Sequence, residues 1–243
     1  MSAPAASLQD VDVIFFDVFG TVVDWRSSLT ALLQRFGKEE GIRADWPGFL
    51  AAWKAGYRPA MDAVISGARP YFNLDEMYLE RMEQVLDEFG LAGLSEAQKH
   101  KILNLWLEIE PWPDAVEGLT RLARKHTLVT LSNGSFSWLT AIAKHGALPF
   151  DAILTAENAQ VYKPHPRCYL TAIKLMGMEA TPERCMLTAC HNYDLAAARS
   201  HGMKTAFLPR KEYGPDQEAD QAPESDWDVV AENLIGVAEA MGC

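Results

Sequence analysis

The chain has 243 residues, of which 49% are hydrophobic and 23% are charged, and its formal net charge is −11. This length allows one large domain or a core with a smaller insertion, and the acidic balance argues against non-specific binding to nucleic acid, whose phosphates need clustered lysine and arginine. There is no apolar run of bilayer length, no signal peptide at the N-terminus and no CxxC pair among the four cysteines, so we expect a cytoplasmic protein without a membrane span, a disulfide framework or a zinc site.

Short apolar runs predict strands, and helix-like segments separate these runs along the chain. The first run, VDVIFF, is nearly all apolar, as a strand buried on both faces should be. The predicted strands are 11–16, 126–133, 150–157, 184–190 and 204–209, and the helices between them are 114–125, 166–177 and 194–202. This alternation predicts an α/β fold with a doubly wound, mostly parallel sheet that carries helices on both faces.

Residues 26–108 differ from the rest because they are helix-like almost throughout and contain no convincing strand. We interpret them as a helical cap domain inserted after the first strand. The remaining core then consists of residues 1–25 and 109–243. Near the C-terminus, the polar and turn-rich segment 211–226 predicts a surface loop, and residues 228–241 predict a final helix.

Polar residues follow several of the predicted strands, at the edge where open parallel sheets bind their ligands. Each residue alone has an ordinary alternative role, as a turn residue, a surface lysine or a helix cap. Their occurrence in order at successive strand ends nevertheless predicts one crevice that combines carboxylates, a hydroxyl, an amide and an amine. The residues concerned are Asp17, Ser132, Asn133, Lys163, His191, Asn192, Tyr193 and Asp194.

The sequence resembles the haloacid dehalogenase superfamily in four motifs, which read FDVFGTVVD, LSNG, VYKP and HNYDLAAA here. The resemblance covers nearly the whole chain and implies a Rossmann-like core with a cap inserted after the first strand. It implies that Asp17 is a nucleophile that forms a covalent ester and that Lys163 neutralises charge around it. It also implies that Ser132 and Asn133 bind the anionic end of the substrate.

Two positions distinguish the phosphatases of this superfamily from its dehalogenases. The phosphatases need a second acid two residues after the nucleophile, where this chain has Phe19, which has no proton to donate. They also need a carboxylate for Mg²⁺ in the fourth motif, where this chain has Cys190, a poor ligand for a hard cation. A dehalogenase needs neither, because halide leaves without a proton. The resemblance therefore narrows to the type II 2-haloacid dehalogenases, which implies no metal and no other cofactor.

The implied reaction converts a short 2-haloalkanoic acid into a 2-hydroxyacid, as (S)-2-haloacid dehalogenases do. Asp17 displaces halide in line, and water then hydrolyses the aspartyl ester. Asp194, with His191 or Asn192, activates this water, and Thr21 with backbone N–H groups stabilises the oxyanion. His191 has a second possible role, as a donor to a small and poor leaving group.

The departing halide needs a donor, which family members take from an arginine of a Trp-Arg pair in the cap. This chain has a Trp-Lys pair there, so the candidates are Lys54 and Arg58, and the ordinary alternative places both on a solvated helix face. Phe19, Trp25 and Tyr193 are candidates for the pocket wall or for plain core packing; an aromatic beside the nucleophile suits a dry pocket.

Two other functions stay open at this stage. One is a Mg²⁺-dependent phosphatase of a small phosphoester, and the other is a catalytically inactive protein that keeps the fold for binding. The expected partners are a small anionic haloacid and, because close relatives are often dimers, a second copy of the chain. Nucleic acid and membranes are not expected partners.

Overall fold

A parallel sheet organises residues 7–243, the part of the chain that the computed structural model describes. The six strands in this part are β1 (Val13–Phe16), β2 (Thr127–Ser132), β3 (Ala152–Thr155), β4 (Cys185–Ala189), β5 (Lys204–Phe207) and β6 (Val229–Val230). They lie in the order β3–β2–β1–β4–β5–β6, and every neighbouring pair is parallel. The five strands predicted from apolar runs are confirmed, whereas the two residues of β6 are too few to stand out in the sequence.

The first strand occupies the middle of the sheet, with β2 on one side and β4 on the other. All four of its residues are buried, which explains its uninterrupted apolar sequence. Because the chain winds away from β1 in both directions, the crevice at its carboxyl end is the place where such sheets form ligand sites. Asp17 is the first residue after β1, and its backbone N–H donates to the carbonyl of Thr188 at 3.1 Å.

The first part of the segment between β1 and β2, residues 25–108, is helical, as predicted for residues 26–108. Within the described chain its helices are α1 (Trp25–Glu40), α2 (Trp46–Ala55), α3 (Tyr57–Ile65), α4 (Leu74–Val85) and α5 (Glu96–Asn104), followed by a 3₁₀ turn at Leu105–Glu108. Polar side chains accept backbone N–H groups at the start of four of these helices, namely Asp24, Asp45, Asn73 and Ser95. The division of the chain into a core and a separate cap domain stays a prediction.

The remaining helices cover the sheet. They are α6 (Ala115–Leu122), α7 (Phe136–His145), α8 (Ala156–Ala159), α9 (Pro166–Leu175), α10 (Asn192–Arg199) and α11 (Leu234–Ala240). The final helix is shorter than the predicted range 228–241, because Val229–Val230 joins the sheet edge as β6 and Asn233 caps α11. None of the helices in residues 7–243 is long and apolar enough to cross a bilayer.

An aromatic cluster joins the inserted helices to the layer that covers the sheet. Its rings lie 4.6–6.2 Å apart between centroids, and its members are Trp25, Trp53, Tyr78, Trp106 and Trp138. Trp138 belongs to α7, the other four belong to the helical segment 25–108, and each of the five is at most 3% exposed. Large buried aromatic rings contribute strongly to packing, so this cluster packs the inserted helices against α7.

Candidate active site

The Asp17 loop begins directly after β1 and turns sharply. Gly20 in this loop has a φ of +88°, a conformation that favours glycine, and a Cβ at this position would lie 2.2 Å from Oε2 of Glu212. Glycine is therefore needed both for the turn and for the close approach of the glutamate. The turn leaves Asp17 only 6% exposed at the mouth of the central strand.

Three donors surround the Asp17 carboxylate. Its Oδ1 lies 3.1 Å from Nζ of Lys163, while Oδ2 accepts the Thr21 hydroxyl at 2.8 Å and lies 3.2 Å from Nδ1 of His191. Burial alone would raise the pKa of Asp17, but the charge of Lys163 and the contact with His191 hold this pKa well below its usual value. The carboxylate is therefore ionised and oriented, as a nucleophile requires.

Lys163 links Asp17 to a second carboxylate. Its Nζ lies 2.5 Å from Oδ2 of Asp194, and the hydroxyl of Tyr169 donates to Oδ1 of the same residue. Burial tends to lower the pKa of Lys163, but the two carboxylates raise it above the usual value, so the amine stays protonated. Burial raises the pKa of Asp194, which makes Asp194 the more basic of the two carboxylates.

Glu212 is a site residue that the sequence did not reveal. It lies in the segment 211–226, where the prediction of an exposed surface loop is wrong for this residue, because Glu212 is only 2% exposed. Its Oε1 lies 2.6 Å from Nε2 of His191, and its Oε2 accepts the indole N–H of Trp25 at 2.6 Å. Burial tends to lower the pKa of His191, but its polar neighbours, the two carboxylates among them, raise it well above the usual value.

Ser132 and Asn133 lie buried at the end of β2, as the sequence predicts. The side-chain oxygen of Asn133 accepts the backbone N–H of Lys163 at 2.7 Å, and its Nδ2 lies 3.3 Å from the sulfur of Met61. Asn133 therefore fixes the backbone that carries the lysine. From the described residues, the Ser132 hydroxyl accepts only a long contact of 3.4 Å from Gly134 N–H, which leaves it hydrogen-bonding capacity for a ligand.

Phe19 forms a wall between the first loop and the aromatic cluster. Its ring meets Trp106 edge to face at 5.7 Å between centroids. A Cβ added at Gly134 would lie 2.6 Å from Cε2 of Phe19, so the two loops touch at this point. The position that would carry an acid in the phosphatases is thus occupied by a half-buried apolar ring.

A cavity of about 420 Å³ opens beside these residues, and its lining includes Trp25, Lys54, Tyr57, Arg58 and Tyr213. Nζ of Lys54 lies 3.6 Å from the ring centre of Tyr57 and 5.1 Å from that of Trp25. Among the described residues, no carboxylate lies within ion-pair distance of this amine. Burial lowers the pKa of Lys54 to about 8, against the opposing charges of Glu212 and Asp17.

Arg58 lines the cavity, and Tyr193 lies next to Arg58. Arg58 pairs with Asp62 at 3.0 Å, and both side chains are more than half exposed. Its guanidinium carbon lies 5.6 Å from the ring centre of Tyr193, whose ring in turn lies 5.5 Å from that of His191. Of the two cap cations that the sequence offered for the halide, Lys54 is therefore the more buried and the less paired.

Asn192 does not join the other predicted site residues. Its side-chain N–H groups donate to Asp220 and to the carbonyl of Ala222, and its oxygen accepts the backbone N–H of Glu224 and the indole N–H of Trp227. These contacts use the hydrogen-bonding capacity of the amide. Asn192 therefore anchors the loop after β5 and has no free polar group for a substrate or a water molecule.

Comparison with known proteins identifies the family of the chain. A sequence model of haloacid dehalogenase-like hydrolases matches residues 11–202. The chain belongs to the haloacid dehalogenase-like hydrolases. A solved L-2-haloacid dehalogenase shares 41% identity with this hydrolase over 96% of this chain and 99% of that one, with a TM-score of 0.92. A solved defluorinating L-2-haloacid dehalogenase shares 34% identity over 99% and 100% of the two chains, with a TM-score of 0.91. The (S)-2-haloacid dehalogenase 4A of Burkholderia cepacia is 24% identical over 92% of this chain and 96% of that protein.

The donor set of this haloacid dehalogenase-like hydrolase does not fit Mg²⁺, which prefers an octahedron of oxygen ligands. Asp17, Cys190 and His191 bring three potential metal donors within 4.8 Å of one another. However, both nitrogens of His191 already face carboxylates, and burial raises the pKa of the Cys190 thiol, which disfavours the thiolate that binds metals. Phe19 supplies no oxygen at the position two residues after Asp17, where the phosphatases carry an acid.

Proposed function

We propose that this hydrolase converts short 2-haloalkanoic acids into 2-hydroxyacids through an ester of Asp17, without a metal ion. One observation carries the proposal. Lys163 and His191 hold the Asp17 carboxylate ionised at the end of the central strand, while Phe19 and Cys190 stand where a metal-dependent phosphatase needs acids. Two solved relatives are L-2-haloacid dehalogenases, one of them defluorinating, and this supports the same substrate class.

The first step displaces halide from the α-carbon of the substrate. Oδ1 of Asp17 attacks this carbon in line, the carbon inverts, and the halide leaves with the bonding electrons. We assign the attack to Oδ1 because Oδ2 already accepts hydrogen bonds from Thr21 and His191, which makes it the poorer nucleophile. Halide requires no proton as it leaves, which is consistent with an apolar residue at Phe19.

The second step hydrolyses the aspartyl ester. Water attacks Cγ of Asp17 and passes a proton to Asp194, whose raised pKa suits a base. Cleavage of the bond from Cγ to the ester oxygen then restores the carboxylate and releases the 2-hydroxyacid. Asn192 takes no part in this step, because the loop after β5 occupies its amide.

The two ends of the substrate need separate binding groups. The Ser132 hydroxyl is proposed to bind the substrate carboxylate, because it retains hydrogen-bonding capacity at the buried end of β2. Lys54 is proposed to bind the departing halide, because its amine lies over two aromatic rings and because the charge of Asp17 is close enough to affect the pKa of this amine. Trp25 and Phe19 supply apolar walls that exclude water from the nucleophile.

The test measures halide and phosphate release in parallel, with and without EDTA. The substrates are chloroacetate, fluoroacetate, 2-chloropropionate and p-nitrophenyl phosphate, and Asp17→Asn is the blank. Halide release that survives EDTA and disappears in the blank supports the proposal. Phosphate release that requires Mg²⁺, with no halide from any haloacid, would replace it with a phosphatase. Tight haloacid binding without turnover of either substrate class would indicate an inactive binding protein.

A single turnover in H₂¹⁸O tests the ester itself. Because water attacks Cγ, the label should enter the Asp17 carboxylate before it reaches the product. Label that appears only in the 2-hydroxyacid would mean direct attack of water on the substrate and would contradict the ester route.

Three further features stay predictions. They are the cap domain over residues 26–108, a homodimer and a cytoplasmic location. Limited proteolysis at the cap boundaries, light scattering of the purified protein and cell fractionation would test them in turn.

A further inference from the structure

The imidazole of His191 lies between two carboxylates. Its Nδ1 is 3.2 Å from Oδ2 of Asp17, and its Nε2 is 2.6 Å from Oε1 of Glu212. An ionised carboxylate can only accept hydrogen bonds, so both ring nitrogens must carry a hydrogen for both contacts to form. Glu212 is held in place by the indole N–H of Trp25 and is only 2% exposed. With both carboxylates ionised, this geometry is satisfied by a charged ring that donates from both nitrogens beside Asp17.

The atom that His191 faces is the one on which charge develops in the second step. If Oδ1 of Asp17 attacks the substrate, Oδ2 becomes the carbonyl oxygen of the ester. When water adds to Cγ, the negative charge forms on this oxygen. The Thr21 hydroxyl, 2.8 Å away, and the His191 Nδ1–H already point at it.

We propose that Glu212 is a positioning residue for ester hydrolysis, holding His191 as a charged donor to Oδ2 so that His191 and Thr21 together stabilise the oxyanion. This inference rests on the proposed function. In the free enzyme, Asp17 and Glu212 share the charged ring. Once Asp17 is esterified, its negative charge is gone, and Glu212 is the remaining carboxylate in contact with the ring within the described part of the chain.

The bonds and protons of this step balance. The water oxygen bonds to Cγ, and its proton passes to Asp194. The oxyanion on Oδ2 then collapses as the bond from Cγ to the ester oxygen breaks. The released alkoxide takes the proton back from Asp194 and becomes the hydroxyl group of the product. The second proton of the water remains on the Asp17 carboxyl and is lost to solvent, which restores the carboxylate. His191 keeps its own proton throughout and acts as a donor rather than as a base.

The surroundings of His191 come from four parts of the fold. The charged and titratable groups that face the ring are Asp17 at the end of β1, Glu212 in the loop after β5, and Cys190 and Tyr193 beside it in the chain. Behind these partners lie Lys163, Asp194, Tyr213 and, in the insert, Lys54. Burial tends to lower the pKa of His191, but Cys190 and the carboxylates of Asp17 and Glu212 outweigh it and raise this pKa well above its usual value. The ring is therefore expected to stay charged at neutral pH.

The variant Glu212→Gln isolates the charge of the ring with little change in shape. The indole N–H of Trp25 can only donate, so the glutamine oxygen must face Trp25 and its NH₂ group must face Nε2 of His191. Nε2 then has to accept, which leaves a neutral ring. We expect halide release in a single turnover to change less than about threefold, while 2-hydroxyacid release falls about 10- to 100-fold. The ester should then accumulate on Asp17 and be visible by intact-protein mass spectrometry.

A matched control is available at the surface. Glu110 pairs with Nε2 of His145 at 3.0 Å, in the same residue combination but with both side chains exposed. Glu110→Gln should leave both steps unchanged. If Glu212→Gln slows halide release and hydroxyacid release equally, or if no ester accumulates, the inference is overturned while the proposed function stands. If the wild-type enzyme releases no halide from any haloacid, the proposed function fails first.

Nuclear magnetic resonance tests the charge of the His191 ring without any substrate. The ¹⁵N shifts of His191 should show both nitrogens protonated at neutral pH, and in Glu212→Gln one of them should lose its hydrogen. A neutral His191 in the wild-type protein at neutral pH would overturn the inference, even if Glu212→Gln failed to fold.

Discussion

Replacing Lys54 by arginine should remove a pH dependence that the wild-type enzyme displays. Burial lowers the pKa of Lys54 to about 8, so its charge is present below this pH and is lost as the pH rises through it. About nine-tenths of the amine is protonated at pH 7 and about one-tenth at pH 9. If the charged amine binds the departing halide, kcat/KM for chloroacetate should therefore fall about tenfold between these two pH values.

Arginine does not lose its proton in this range, so Lys54→Arg should show a flat profile even if its absolute rate is lower. Lys54→Met removes the donor at every pH and should lower kcat about 100- to 1,000-fold, the usual effect of deleting one group that stabilises developing charge. Arg58→Met should change kcat less than about threefold, because Arg58 already forms an exposed ion pair with Asp62.

The assay is halide release between about pH 6.5 and about pH 9.5 at constant ionic strength. Lys101→Met serves as the control, because Lys101 is an exposed lysine whose partner is Glu40. A wild-type profile that does not fall near pH 8, or a Lys54→Arg profile that falls in the same place, would refute the assignment of the halide to Lys54.

Other substitutions separate structural from catalytic roles. Asn192→Ala should lower the free energy of unfolding in urea by about 1–3 kcal/mol, because it breaks the anchor of the loop after β5. Turnover per folded molecule should stay normal. A loss of turnover without a loss of stability would contradict this anchor role. Gly134→Ala should destabilise the protein by about 1–3 kcal/mol, because its Cβ would lie 2.6 Å from Phe19; an unchanged melting temperature would show that the ring moves freely. Asp114→Asn should cost about 3–5 kcal/mol, since it leaves Arg210, 8% exposed, without its bidentate partner. Burial raises the pKa of Asp114, but Arg210 outweighs burial and lowers this pKa overall. The ion pair therefore stabilises the protein above about pH 4, and this stabilisation is lost as the pH falls. Equal acid sensitivity of the wild type and the variant would contradict this.

The sheet could be predicted from the sequence because its signals are local. A strand buried on both faces, such as β1, is apolar along its whole length, and five short, mainly apolar runs were separated by segments with helical spacing. The order of polar residues at the strand ends then placed Asp17, Lys163 and Asp194 together correctly. The two-residue strand β6 carries too little pattern to separate it from the helix that follows.

The positions of the Asn192 and Glu212 side chains could not be predicted from the sequence. Asn192 lies between His191 and Asp194 in the chain, but it is the first residue of α10, and neighbouring positions of a helix point in different directions. Its side chain therefore faces the loop rather than the nucleophile. Glu212 lies in an acidic, turn-rich segment, and its partners are 21 and 187 residues away. Only the fold brings that carboxylate to the imidazole, so no local pattern could single it out.

The aromatic cluster should also allow tryptophan fluorescence to follow the reaction. The indole rings of Trp25, Trp53 and Trp138 each lie within 6.2 Å of Trp106, close enough for excitation to pass from one indole to the next. Trp25 is the member whose N–H touches Glu212. A chemical change beside Trp25 can thus quench or shift the fluorescence of the whole cluster. Stopped-flow fluorescence would follow the formation and loss of a covalent intermediate without a dye or a coloured substrate.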